Sequence, residues 1–183
     1  MKDFENPLKI FIQKGDIMFR TVEDFLTSWK HEKETTLKML NNLTDESLGT
    51  KVTPTGRDLG FIAWHITLSC GEMAQASGFI IDGFDEKQPR PATAGEIIAT
   101  FTKLADAITE MVKSSFKDED LMVTIPVYGE EWKRGFLFTA LVSHTIHHRG
   151  QMTVLMRQAG LKVPGAYGPS REEWATYGMP AQD

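Results

Sequence analysis

The sequence predicts an all-α protein, a four-helix bundle closed by a short C-terminal helical tail. Three observations carry that prediction. Four long segments repeat their apolar residues at the spacing of a helix face, and stretches rich in Gly, Pro and polar turn formers separate them. The chain has 183 residues, 41% hydrophobic and 25% charged, enough to bury one core without disulfide staples. Residues 1–183 are accordingly read as one helical-bundle domain, and no internal repeat or low-complexity tract interrupts it.

The first helix is expected from about Met18 to Leu43, with Val22, Leu26, Trp29, Leu37 and Leu40 as a broken apolar stripe and Asn41, Asn42 and Thr44 closing it. The turn Thr53-Pro54-Thr55-Gly56 leads into a second, about Asp58 to Ile80, with Leu59, Ile62, Ile66, Met73 and Ile80 on one side and Gly78 and Gly83 at its end. Thr93, with Glu96 three residues later, forms a capping box that opens a third helix through about Phe116. Its core face is Ile97, Phe101, Leu104, Ile108 and Met111 or Val112.

Val123 to Val127 and the following Tyr128-Gly129-Glu130-Glu131 read as a short ribbon, since Pro126 excludes a central strand. The fourth helix begins between Lys133 and Phe136 and runs to Ala159, where Gly160 stops it. A Gly/Pro-rich loop, Val163 to Pro169, precedes a helical turn opened by Ser170 with Glu173. The longer connections after the second and third helices leave room for crossovers.

Composition removes several classes of function. A net charge of −5 and a pI near 5.6 provide no basic stripe for nucleic acid. The single cysteine, Cys70, excludes an internal disulfide and a C-x-x-C pair, which fits a reducing cytoplasm. The apolar run Leu8 to Ile12 is too short for a signal peptide core, and no stretch approaches the roughly twenty apolar residues of a membrane helix. A cytoplasmic protein without membrane partners is expected.

Chemistry concentrates on histidine. In the fourth helix Leu137, Leu141, His144, His148, Gln151 and Leu155 follow the alternating four-and-three spacing of a buried seam. Residues four apart stand one above the other, so the imidazoles of His144 and His148 can converge on one ion. His65 sits in the second helix between Ile62 and Ile66, where an apolar residue is expected. One core histidine is more often a hydrogen-bonded residue than a ligand, but three are hard to explain without a metal. His147 lies about 100° round the helix from His148, and 144 with 147 is the competing pair. His31, among Lys30, Glu32 and Lys33, reads as solvated.

Three imidazoles with an open side suit zinc as a Lewis acid, and imidazole also accepts nickel, iron or copper. No His-Glu-x-x-His, Glu-x-x-His, Gly-x-Ser-x-Gly or phosphate-cradling loop is present, which removes zinc peptidase, di-iron, serine hydrolase and nucleotide hydrolase readings. Asp58, Ser69 and Glu72 lie four or seven residues from His65 and share its groove if they are not plain capping or solvated residues. Arg149 reads as a surface ion pair or an anion contact. Gly150 is expected to admit a close neighbour, and Gln151 to orient one.

His144-x-x-x-His148-Arg149-Gly150-Gln151, the upstream His65 in a Trp-His-Ile setting, and the tail Pro164-Gly165-Ala166-Tyr167-Gly168-Pro169-Ser170 with Trp174 resemble the DinB/YfiT-like family. The resemblance implies a four-helix bundle, usually a homodimer, that holds zinc or nickel through His65, His144 and His148. It also implies one of two functions. The first is a metal-dependent enzyme, a transferase of a low-molecular-weight thiol onto a small electrophile or a thiol-dependent isomerase; by its chemistry an ion with an open position equally suits a hydrolase. The second is a non-catalytic, stress-associated bundle with a structural ion.

Overall fold

The computed structural model describes residues 18–181. The expected run Leu8 to Ile12 lies outside them. Helices α1 (Val22–Leu40), α2 (Leu59–Ala76), α3 (Ala94–Ser115) and α4 (Arg134–Gln158) are joined by irregular segments and one antiparallel ribbon, β1 (Thr124–Val127) with β2 (Glu130–Lys133). Ile125 pairs with Trp132 across it, and Tyr128 and Gly129 make its turn with positive φ. An all-α bundle is thus the architecture.

Local chemistry sets the helix ends. Thr21 and Thr93 each accept from the backbone N–H three residues on, and Asp24 and Glu96 return a carboxylate to the cap. Asp58 caps α2 through Phe61 N–H at 2.6 Å. Lys133 offers α4 no side-chain cap, and the helix start is tied down differently: Arg134 donates to the carbonyls of Ser77 and Asp120, both at 3.1 Å, and lies over the Phe116 ring. Gly160, at φ +72, ends α4 as expected.

α1 packs chiefly against α3 and α4, and α2 against the same two, so α1 stands diagonal to α2 and α3 diagonal to α4. The connections after α1 and α3 therefore cross the bundle, whereas the one after α2 joins neighbours, contrary to the expectation for that loop. The first crossing is braced by a 3-10 turn, Asp45–Gly49, whose Asp45 accepts from Ala94 N–H at 2.7 Å and so fastens the loop to the start of α3.

Phe25, Trp29, Leu40, Leu59, Ile66, Ile97, Phe101, Ile108 and Phe136 anchor a continuous core drawn from all four helices. Two stripes differ from expectation. On α1 the buried row is Val22, Phe25, Trp29, Glu32, Thr36 and Met39, leaving Leu26 and Leu37 only half-buried. α2 stops at Ala76, and Ile80, expected in its face, lies beyond it at 92% exposure. Gly78, with φ +105, provides the left-handed step past the helix end.

Gly150 does not admit a neighbour: a Cβ there would meet nothing within 4 Å. The close approach is at Gly71 of α2, where a Cβ would run into the Phe84 ring. The tail holds a 3-10 turn at Trp174–Tyr177. Ahead of it the expected turn at Ser170 forms: Glu173 N–H donates to the Ser170 carbonyl at 3.0 Å, and the Glu173 carboxylate accepts from the N–H groups of Ser170 and Gly165, binding the two ends of the loop together. No helix among the described residues is long and apolar enough to cross a membrane.

Candidate metal centre

The packing of α2 on α4 brings His65 to two imidazoles that lie 79 and 83 residues further along the chain. His144 and His148, one turn apart, rise from one face of α4, and His65 meets them from the middle of α2. Their Nε2 atoms form a triangle: His65 to His144 3.2 Å, His65 to His148 3.1 Å, His144 to His148 3.2 Å. The ring planes are inclined to one another by 63°, 89° and 69°, so the rings present edges, not faces, to a common point.

An ion held at about 2.0–2.1 Å by three nitrogens of a tetrahedral set spaces those nitrogens about 3.3–3.4 Å apart. The triangle is slightly tighter than that, and the donor set fits. Three ring nitrogens aimed at one point repel each other unless a proton or cation lies between them. Among the described residues these three form a group that could hold a metal ion, and no carboxylate or thiol joins it.

The surroundings keep the imidazoles neutral, the form in which a nitrogen lone pair is free. Burial pushes His65 down to about 4, and the nearby His148 and Arg57 push the same way. Burial pushes His144 down to about 3, with His148, His65 and His147 adding to it. His148 is lowered by burial, against the opposing pull of its hydrogen bond to Gln151.

That hydrogen bond orients the site. His148 Nδ1–H donates to Gln151 Oε1 at 2.8 Å, which leaves the His148 Nε2 lone pair facing the triangle. Gln151 also donates through Nε2 to His147 Nε2 at 3.0 Å. His147 is exposed and stands outside the triangle, connected to it through Gln151. The buried Nδ1 of His144 has no protein partner among the described residues, so packing alone holds that ring.

The other residues singled out from sequence lie elsewhere. Asp58 is committed to its cap and to Arg90. Ser69 is buried in α2 without a hydrogen bond to the histidines. Glu72 is half-buried and partners the Tyr128 hydroxyl, which burial first and this carboxylate second hold above the usual tyrosine range. His31 is exposed against the Tyr167 ring, as expected of a solvated residue.

Arg149 is not at the surface: it is 2% exposed and pairs with Glu32, also 2% exposed, through Nη1 and Oε2 at 2.6 Å. Its Nη1 also reaches Thr36 Oγ1 at 3.2 Å, and the Tyr167 hydroxyl donates to Glu32 Oε1. This network joins α1, α4 and the C-terminal loop one residue along α4 from His148. Reading Glu32 as part of a polar face missed it. The signal was the spacing: Phe25, Trp29, Glu32, Thr36 and Met39 alternate by four and three, as do Phe138, Val142, Thr145, Arg149, Met152 and Met156, all of them buried.

Beside the triangle, Phe61 lies nearly parallel to the His65 ring at 6.0 Å between centroids, and the Arg57 guanidinium sits 4.8 Å above Phe61. An open cavity of about 480 Å³ continues from there, lined by Val52, Arg57, Ile62, Gln151, Val154 and Leu155.

Fold and site together define a four-helix bundle with a three-imidazole centre between α2 and α4. The family model of the DinB family matches residues 18–182. The chain is 42% identical over 164 residues to YrdA of Bacillus subtilis (strain 168), an uncharacterized protein, covering 90% of this chain and 98% of that one. A DinB-like protein from Bacillus cereus ATCC 10987 superposes with a TM-score of 0.78 at 40% identity, covering 82% of this chain and all of that one. A second DinB-like protein, YjoA of Bacillus subtilis, shares the fold at a TM-score of 0.61 and 16% identity, over 78% of this chain and 96% of that one. The chain belongs to the DinB family.

Proposed function

We propose that this protein is a metal-dependent transferase that joins a low-molecular-weight thiol to a small electrophile, with His65, His144 and His148 as the ligands of a divalent ion, zinc in first place and nickel in second. The observation that carries the reading is the convergence of three neutral Nε2 atoms in a site to which no fourth side chain contributes among the described residues. A closed set of four protein ligands marks a structural ion, whereas three leave a position for a reactant.

A divalent ion in such a site acts as a Lewis acid, lowering the pKa of a thiol or a water at its open side. The protein's own residues do the rest. His65, His144 and His148 remain unprotonated across the physiological range and supply the lone pairs. Gln151 keeps His148 in the tautomer that faces inward. Phe61 walls one side of His65, and the apolar groove next to it offers room for a small molecule. Overall the thiol loses its proton, a sulfur–carbon bond forms, and the carbon's leaving group departs with the bonding pair, so that thiol and electrophile give a thioether and the acid of the leaving group. Hydrolysis at the same ion is the reading to which thiol transfer is preferred. In this reading the protein works in the cytoplasm as a homodimer on small molecules, not on nucleic acid or membranes.

The test is elemental analysis of the purified protein beside His144→Ala, followed by assay with 2-mercaptoethanol and 1-chloro-2,4-dinitrobenzene. About one equivalent of zinc or nickel in the parent, little in the variant, and thioether formation that follows metal content are expected. Thioether formation at the parent rate in the metal-free variant would overturn the proposal. A protein that chelation leaves largely unfolded would point instead to a structural ion.

A further inference from the structure

We propose that Arg57 selects the substrate of this site by gripping a carboxylate, or a similar anionic terminus, of a small molecule whose apolar body lies along the groove beside the histidines. The inference rests on the reading of the three histidines as a reaction centre and adds to it the chemical class of what enters: an amphipathic organic anion.

The groove has the dimensions of a ligand site. Its volume of about 480 Å³ lies within the usual range of about 300–1,000 Å³. Val52, Ile62, Val154 and Leu155 make most of its wall apolar, and Val52 and Val154 are 58% and 51% exposed, an unusual state for two large aliphatic side chains bordering one opening. Arg57 is the one ionisable side chain in that lining.

Arg57 is also uncommitted. Among the described residues it makes no ion pair or side-chain hydrogen bond, and its contact is the face of Phe61. The neighbouring carboxylate, Asp58, is held by Arg90 and by Phe61 N–H. In a chain of net charge −5, an unpaired guanidinium at the mouth of an apolar groove is a local positive field directed at whatever enters. The Phe61 ring lies beneath it, and a planar fork with several N–H donors suits a carboxylate, which it can bind through two parallel hydrogen bonds.

The groove adjoins the centre through two of its lining residues. Gln151 is in its wall and accepts from His148, while Arg57 covers the ring that lies against His65. A molecule with its anionic end on Arg57 lies one side chain away from His65, across Phe61, and with its body against Gln151 it lies one side chain away from His148. A neutral molecule of the same shape gains the apolar contacts but not the charge-assisted hydrogen bonds.

The experiment uses the protein loaded with cobalt(II), whose absorption spectrum reports a thiol that reaches the ion. The probes are 6-mercaptohexanoate and its neutral counterpart 6-mercaptohexan-1-ol, with 3-mercaptopropionate and 2-mercaptoethanol as the shorter pair. At least one carboxylate thiol should bind about tenfold more tightly than its alcohol partner. Arg57→Gln, in protein still loaded with cobalt, should abolish the preference of acid over alcohol, and Arg57→Lys should restore part of it.

Equal binding of both members of each pair to the parent would overturn the role of Arg57 and leave the metal reading standing. Failure of every thiol to alter the cobalt spectrum would sink the thiol reading, and this inference with it. A Val154→Asp variant that turned a dimer into a monomer, together with equal binding of acid and alcohol, would show that a second copy of the chain covers the groove, and would also overturn the proposal.

Discussion

At the scale of single residues, the centre depends on side chains that are not themselves ligands. Gln151 holds His148 through one hydrogen bond and His147 through another. Partners of this kind are typically worth about 10–100-fold in metal affinity. Gln151→Ala is expected to weaken zinc binding by that order, read by competition with a chromogenic chelator, and unchanged affinity would mean that packing alone orients His148. One residue along α4 from His148, Arg149 forms with Glu32 a buried pair whose two halves depend on each other. Removing one leaves a charge in the core, a loss of about 3–5 kcal/mol, whereas replacing both with apolar residues of similar size is close to neutral. In urea unfolding, Glu32→Leu with Arg149→Met should therefore be more stable than Arg149→Met alone. Additive losses would show that water reaches the pair.

At the scale of elements, α4 does two jobs that conflict locally. Its inner face carries His144, His148 and Arg149, all polar, and so its stability comes from Phe136, Leu137, Leu141, Met152 and Met156 on either side of them. Gly150, one residue beyond the buried pair, adds no compensating contact. Gly150→Ala is expected to stabilise the protein by about 1 kcal/mol through helix propensity, visible as a rise in Tm with metal binding unchanged. A fall in Tm would reveal a neighbour at that position. Gly71 behaves oppositely, because the Phe84 ring lies where its Cβ would be, so Gly71→Ala should lower Tm.

At the scale of the whole molecule, the core spans all four helices, and the three histidines occupy one seam of it, between α2 and α4. Chelation should lower stability without unfolding the chain, and restoring zinc to about 100 times its Kd should return about 2.7 kcal/mol. Proton linkage makes the metal-free protein acid-sensitive. His65 and His144 sit at about 4 and about 3 in the folded chain, below the ordinary 6.5 that they regain on unfolding. The unfolded chain therefore binds protons first, and stability that is complete above the ordinary histidine range is lost as pH falls from about 6.5 toward 4 and 3. Urea unfolding of the metal-free protein between pH 7 and pH 4 should show that loss, and the double variant His65→Gln, His144→Gln should flatten it.

Much of this was legible along the chain, because it depends on neighbours a few residues away. Apolar spacing located four helices, Thr93 with Glu96 and Gly160 marked an end of α3 and of α4, and Pro126 reduced a strand to a ribbon. The four-residue interval between His144 and His148 was enough to place two imidazoles on one face, since helix geometry alone decides that. Only the tertiary structure decided that α2 packs on α4, which brings His65 to within 3.2 Å of both. It alone buried Glu32 against Arg149, put Ile80 in solvent, and left space at Gly150 but none at Gly71. The reason is that periodicity is a property of one helix, whereas burial belongs to a pair of helices. Which pairs form depends on long connections that cross the bundle and on the fit of all four faces at once.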